Sequence, residues 1–229
     1  MKRSEFDHPE LDYLQLVQEL KDYSFPRDRI TKLLASGELI RVKKGIYVDP
    51  HSDLPYSKEI LANLIYGPSY VSLEYALSYH NLIPEAVRVV TSVTTGRKKR
   101  YQTPIGEFDY SHMPERFFSI GAEYFPLENG RGFMMAGPEK SLFDLLYLRY
   151  SDVVYPDIGE HLFENLRIDE NSFWQLDFAK IEPILEACNR RSIVALRRFI
   201  ESAGRKSEAS VSSTRDIRIG KDKMRQDNG

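Results

Sequence analysis

Arg27, Arg29, Thr31, Lys32 and Ser36 fall within ten positions of one another, and Arg41, Lys43 and Lys44 follow within eight more. Guanidinium and ammonium groups at this density neutralise phosphates, and Arg, Lys, Thr and Ser side chains also reach base edges. The chemistry open to the stretch is therefore nucleic-acid recognition, with the first five residues meeting a groove and the last three the phosphates. From Arg27 to Lys44 six basic residues face two acids, Asp28 and Glu38, a local charge of +4 in a chain whose net charge is −2. The plainer alternative is a solvated basic helix and hairpin that bind nothing.

Arg97, Lys98, Lys99 and Arg100 form the densest basic run, with Tyr101 beside it. It reads either as a solvated turn or as a second nucleic-acid or partner contact. With about six phosphates neutralised by both groups together, log affinity for DNA is expected to fall with log salt at a slope near −5. Asp152 to Glu186 is the opposite case, nine acids against Arg167 and Lys180. Such a face repels DNA and is either ordinary solvated helix or a dock for a basic partner.

Catalytic patterns are poor. There is no Gly-rich phosphate loop, no His-Glu-x-x-His and no Gly-x-Ser-x-Gly. A metal-dependent nuclease needs clustered carboxylates with a lysine two residues beyond one of them, and no Asp or Glu from Asp53 to Glu201 has Lys there. Glu74 and His80 read as capping and packing residues, and Gly130-Arg131-Gly132 as a hairpin turn. No enzyme activity, cofactor or metal is expected.

The elements that position the basic residues follow from periodicity. Ser24 is placed to cap a helix that Pro26 starts, Ile30, Leu33 and Leu34 form its apolar face, and Gly37 ends it. Leu39 to Val42 alternates as a strand, Lys43-Lys44-Gly45 turns, and Ile46 to Val48 returns. An amphipathic helix over residues 9–23 precedes them, with Tyr13, Leu16, Val17 and Leu20 facing Ile30, Leu33 and Leu34. Helix, short connection, helix and basic hairpin match a winged helix-turn-helix.

The polar, proline-bearing residues 49–55 mark a boundary. Beyond it helices are expected over 57–66 and 72–79, and a strand from Ala86 to Thr94. Short strands should follow at 101–103, 107–110, 117–120, 122–127 and 132–136, then helices over 137–149, 160–166, 177–189 and 191–203. Strands joined by short turns predict a mainly antiparallel sheet. The expected fold is α+β: a winged helix-turn-helix over residues 1–50, a mixed domain with C-terminal helices over 51–203, and a disordered tail over 204–229.

At 229 residues with 41% hydrophobic content the chain can bury a real core. A pI of about 6.2 excludes coating nucleic acid through overall charge, so any binding must be local. Cys188 is the only cysteine, which excludes an internal disulfide and a cysteine-rich zinc site. The opening MKRSEFDHPELDY has no apolar run behind it, and no window is long enough for a membrane span, so a cytoplasmic protein is expected.

Three stretches, ASGELIRVKKGIYV, SLEYALSYHNLIPE and TTGRKKR followed by TPIGEFDY, together resemble the AbiEi family of antitoxins of type IV toxin-antitoxin systems. The similarity spans roughly residues 10 to 150 and departs from the commoner pattern in a shortened helical region before Phe25. The resemblance implies an N-terminal winged helix that represses its own operon by binding repeated double-stranded DNA sequences. It also implies a second domain that counteracts a nucleotidyltransferase-like toxin. The competing expectation is an interaction module that binds the toxin or another defence protein without binding DNA.

Overall fold

The structure is a computed structural model and describes residues 6–203; the tail expected over 204–229 lies outside them. The first element among the described residues is a strand that periodicity does not reveal. β1 (Glu10–Asp12) pairs antiparallel with β3 (Ile46–Val48), which also pairs with β2 (Ile40–Lys43), so the first sheet has the order β1-β3-β2. Leu11 is buried on this ladder. The helix expected over 9–23 is correspondingly shorter, α1 (Tyr13–Glu19), because Asp12 and Gln15 close a capping box: each side chain accepts the other's backbone N–H, at 2.8 and 2.9 Å.

α2 (Pro26–Ala35) lies between α1 and β2. The expected cap differs, since Phe25 rather than Ser24 is the residue before the first turn and no side chain caps it. Proline at the first helical position makes this tolerable, because its missing N–H removes one of the donors a cap would serve. Leu16, Leu20, Ile30, Leu33, Leu39 and Tyr47 close a small core under the first sheet.

The remaining described residues build a six-stranded mixed sheet. α3 (Lys58–Ile65), capped by Ser57, leads through β4 (Ser69–Val71) and α4 (Leu73–Tyr79) to β5 (Val90–Thr94), β6 (Lys99–Thr103) and β7 (Gly106–His112). α5 (Glu115–Phe118), β8 (Ala122–Pro126), β9 (Gly132–Ala136) and α6 (Pro138–Leu148) follow. The strand order is β6-β7-β5-β4-β9-β8. Three neighbouring pairs are antiparallel, while β5 with β7 and β4 with β9 are parallel. Consecutive short strands thus give a mixed sheet, because β7 and β9 each return between an earlier strand and their own hairpin partner. All five residues of β5 are buried, as its apolar character on both faces requires.

Two expected strands differ. Residues 117–120 do not form a strand: the chain turns into α5 just after Pro114, and Phe117 is buried from that helix. The strand expected from Ala86 joins the sheet only at Val90. The C-terminal helices cover one face as α7 (Ile158–Glu160), which widens into a π-turn over His161–Asn165, then α8 (Glu170–Trp174), a 3-10 turn at Phe178–Ile181, α9 (Glu182–Ala187) and α10 (residues 191–203).

Ser72 does not cap α4. Its hydroxyl donates to Asp144 at 2.8 Å, and Tyr70 donates to the same oxygen at 2.9 Å. The other Asp144 oxygen pairs with Lys140, whose ammonium also donates to the Phe117 carbonyl at 2.7 Å. Lys140 and Asp144 are fully buried, one turn apart on α6. Burial pushes the Asp144 carboxyl up from the usual carboxylate range, while the Lys140 charge pulls the other way.

The boundary expected near residue 50 falls in an irregular connection, yet side chains from both sides of it share one core. Val42, Ile46 and Val48 pack with Ile60, Ile65, Phe108 and Tyr110. A buried ion pair between Arg131 and Glu10 adds a polar tie, so Gly130-Arg131-Gly132 is more than a turn.

Candidate nucleic-acid interface

On α2, Arg27, Thr31 and Lys32 are exposed and Arg29 is half-buried. The burial of Ile30 and Leu33 sets this face, since residues three and four apart on a helix share a side. Arg27 Nε donates to the Tyr13 hydroxyl at 3.2 Å, and the Arg29 guanidinium stands 5.3 Å from the centre of the Tyr23 ring. Two hydroxyls expected to read bases are already engaged within the helix. Thr31 donates to the Arg27 carbonyl at 3.0 Å, and Ser36 Oγ lies 2.8 Å from Glu38 and 3.2 Å from the Leu33 carbonyl.

The hairpin divides its cations. Arg41 and Lys44 are exposed, Arg41 lying 5.9 Å from the centre of the Tyr47 ring. Lys43 turns inward, donating to the Ile65 carbonyl at 2.7 Å with its ammonium 4.7 Å from the Tyr101 ring centre. The cause is a register shift between Arg41 and Lys43: Arg41 opposes Tyr47 and Lys43 opposes Ile46, leaving Val42 as the extra residue. A bulge of this kind re-aims the side chain that follows it. The phosphate contact expected of Lys43 gives way to a cap on the last turn of α3, where a cation also complements the helix dipole.

The basic run sits close to this point. Lys99 and Arg100 are the first residues of β6, an edge strand, and Arg97 and Lys98 lie exposed in the turn before it. Lys99 stands 4.3 Å above the Tyr66 ring. Tyr66, Tyr101 and Tyr110 form an edge-on and tilted cluster with centre separations of 5.4, 5.8 and 6.3 Å. Two lysines from stretches more than fifty residues apart therefore rest on one aromatic cluster, each ammonium held by ring quadrupoles. Arg100 is paired: its guanidinium lies 2.6 Å from Glu107, whose carboxylate strengthens the hold of Arg100 on its proton and is itself held below the usual carboxylate range by that hydrogen bond.

Tyr66, Tyr110 and Arg131 were not among the expected site residues; only Tyr101 carried a signal, by standing next to the basic run. Glu74 and His80 do not form a proton-transfer pair. Glu74 lies 3.7 Å from Arg149, and His80 Nε2 lies 2.8 Å from the Ala136 carbonyl. Among the described residues no group of three or more His, Cys, Asp or Glu side chains could hold a metal ion, and no helix is long and apolar enough to cross a membrane. No family model and no curated protein matches this chain.

Proposed function

We propose that the protein is a DNA-binding regulator acting in the cytoplasm as the antitoxin of a type IV toxin-antitoxin pair. In this reading β1, α1, α2 and the β2–β3 hairpin are a trimmed winged helix-turn-helix. α2 offers Arg27, Arg29 and Lys32 to a groove, while Arg41 and Lys44, with Arg97 and Lys98, meet the phosphates. The observation that carries the reading is the approach of Lys43 to Tyr101, which brings the hairpin beside the strand that opens with Lys99 and Arg100. A slightly acidic molecule thereby gains one local cationic surface assembled from two stretches. The AbiEi resemblance supplies the partners, a repeated operator upstream of the chain's own gene and a nucleotidyltransferase-like toxin.

A mobility-shift titration with that upstream DNA and a scrambled duplex tests the reading. Tight binding to the first, altered preference on Arg29→Ala or Lys32→Ala, and equal weakening on both duplexes on Lys44→Glu support it. Failure of the wild-type chain to shift either duplex removes the regulator. The antitoxin role is tested apart from this, by co-expressing the protein with the product of the adjacent gene and scoring growth. A specific observation favours an interaction module as the second reading. Phe25, at the start of α2, is 72% exposed and Leu14 76%, which suits a protein partner better than a duplex.

A further inference from the structure

β5 and β7 run parallel in register only from Val90 opposite Phe108 onwards. Before that point they diverge. β7 still pairs with β6, Thr103 opposite Gly106 and Gln102 opposite Glu107, while no β5 residue is paired opposite Gly106 or Glu107. Residues 87–89 form the opposite wall, and between the two lies a cleft of about 730 Å3. Clefts of this size accommodate small-molecule ligands.

The lining is chemically asymmetric. Lys58, the first residue of α3, reaches the Gly106 wall, where a Cβ on Gly106 would lie 3.6 Å from its ammonium. Arg88 stands on the wall of residues 87–89. Among the described residues neither side chain has an ion-pair or hydrogen-bond partner. The one acid that lines the cleft, Glu107, is spent on Arg100 at 2.6 Å and on Gln102 at 2.9 Å. Tyr75 also lines it, its hydroxyl fixed on Glu59 at 2.5 Å, together with Val87 and Val89. Two cations without a partner therefore face a partly apolar wall.

We infer that this cleft binds a nucleoside monophosphate or a closely similar small phosphate ester. The phosphate sits between Lys58 and Arg88, and the planar base lies against Tyr75, Val87 and Val89. The site is separate from the DNA-contacting surface proposed above. Lys99 and Thr103 lie at opposite ends of β6, about 13 Å apart at the rise of an antiparallel strand, and the cleft adjoins the Thr103 end.

The test is a titration of the 15N-labelled full chain with AMP, GMP, CMP and inorganic phosphate, followed by amide NMR. Saturable shifts at Lys58, Arg88 and Gly106 with at least one nucleotide are expected, as is weaker binding of inorganic phosphate. Losing either cation should weaken nucleotide binding on the order of tenfold or more. Arg88→Ala alters only an exposed side chain, so its loss of affinity should come with an unchanged thermal midpoint; Lys58→Gln provides the second variant. No saturable shift at millimolar nucleotide, shifts confined to Lys44 and Arg97, inorganic phosphate binding as tightly as any nucleotide, or unchanged affinity in both variants would each overturn the assignment.

Discussion

Arg131 Nη1 lies 3.1 and 3.2 Å from the two carboxylate oxygens of Glu10, a residue 121 positions earlier in the chain. The side chains are 9% and 1% exposed, and the same Arg131 nitrogen also donates to the Pro55 carbonyl at 3.2 Å, while Glu10 accepts the backbone N–H of Ser57. One carboxylate thus ties the first strand, the start of α3 and the turn between β8 and β9. Removing one partner strands the other charge out of water. Arg131→Ala or Glu10→Gln should cost about 3–5 kcal/mol in urea unfolding, with the double change costing much less than the sum. Additive losses below about 1 kcal/mol would show that water replaces the bond.

Lys43 and Lys44 are adjacent but should behave differently. Lys43→Ala removes the cap on α3 and the contact with Tyr101, so it should lower the thermal midpoint and leave the salt dependence of DNA binding unchanged. If the protein binds DNA as proposed, Lys44→Ala should leave the midpoint unchanged and reduce the magnitude of the salt slope by about 0.9. The reverse pattern would mean that the bulge does not turn Lys43 inward in solution.

Inside α6 the Lys140–Asp144 pair should be costly to halve and cheap to remove whole. Asp144→Leu alone leaves a buried ammonium, at a cost of about 3–5 kcal/mol, whereas Lys140→Met with Asp144→Leu should recover most of that loss. Calorimetry on the two proteins decides it. A double variant no better than the single would locate the stability in the bonds to Tyr70, Ser72 and Phe117.

His161 is held neutral by burial, which lowers its pKa from the ordinary value. The unfolded chain therefore takes up a proton near the usual histidine pKa of about 6.5 that the folded chain refuses. Stability from this group is present above that value and declines as pH falls through it toward the depressed folded value. Unfolding midpoints should drop slightly between about pH 7 and 5.5, and His161→Phe should flatten that part of the curve. A slope that survives the substitution would point to another group.

Much of this arrangement could be read from residue spacing. Ile30 and Leu33 set the face of α2, and β5 is buried on both sides as Val90, Val93 and their neighbours require. What spacing hides is anything one residue wide. The extra residue at Val42 reverses the facing of Lys43, a capping box at Asp12 moves a helix start, and three residues between Pro68 and Ser72 are too few to announce β4. Long-range pairing hides too, because neither Glu10 nor Arg131 carries a local sign of the other. The buried polar positions of α6 have the same cause: nothing local to Lys140 and Asp144 announces the Ser72 and Tyr70 hydroxyls that reach them from β4 and its end.

The shared packing of Val42, Ile46 and Val48 with Ile60, Ile65 and Phe108 bears on how the two halves can be studied apart. Cutting the chain after residue 50 would bare a greasy surface on each fragment and orphan Arg131, so a shortened version invites precipitation. Dissecting the roles calls for single-residue changes in the intact chain. The same fusion denies the N-terminal unit any freedom to swivel against the larger sheet.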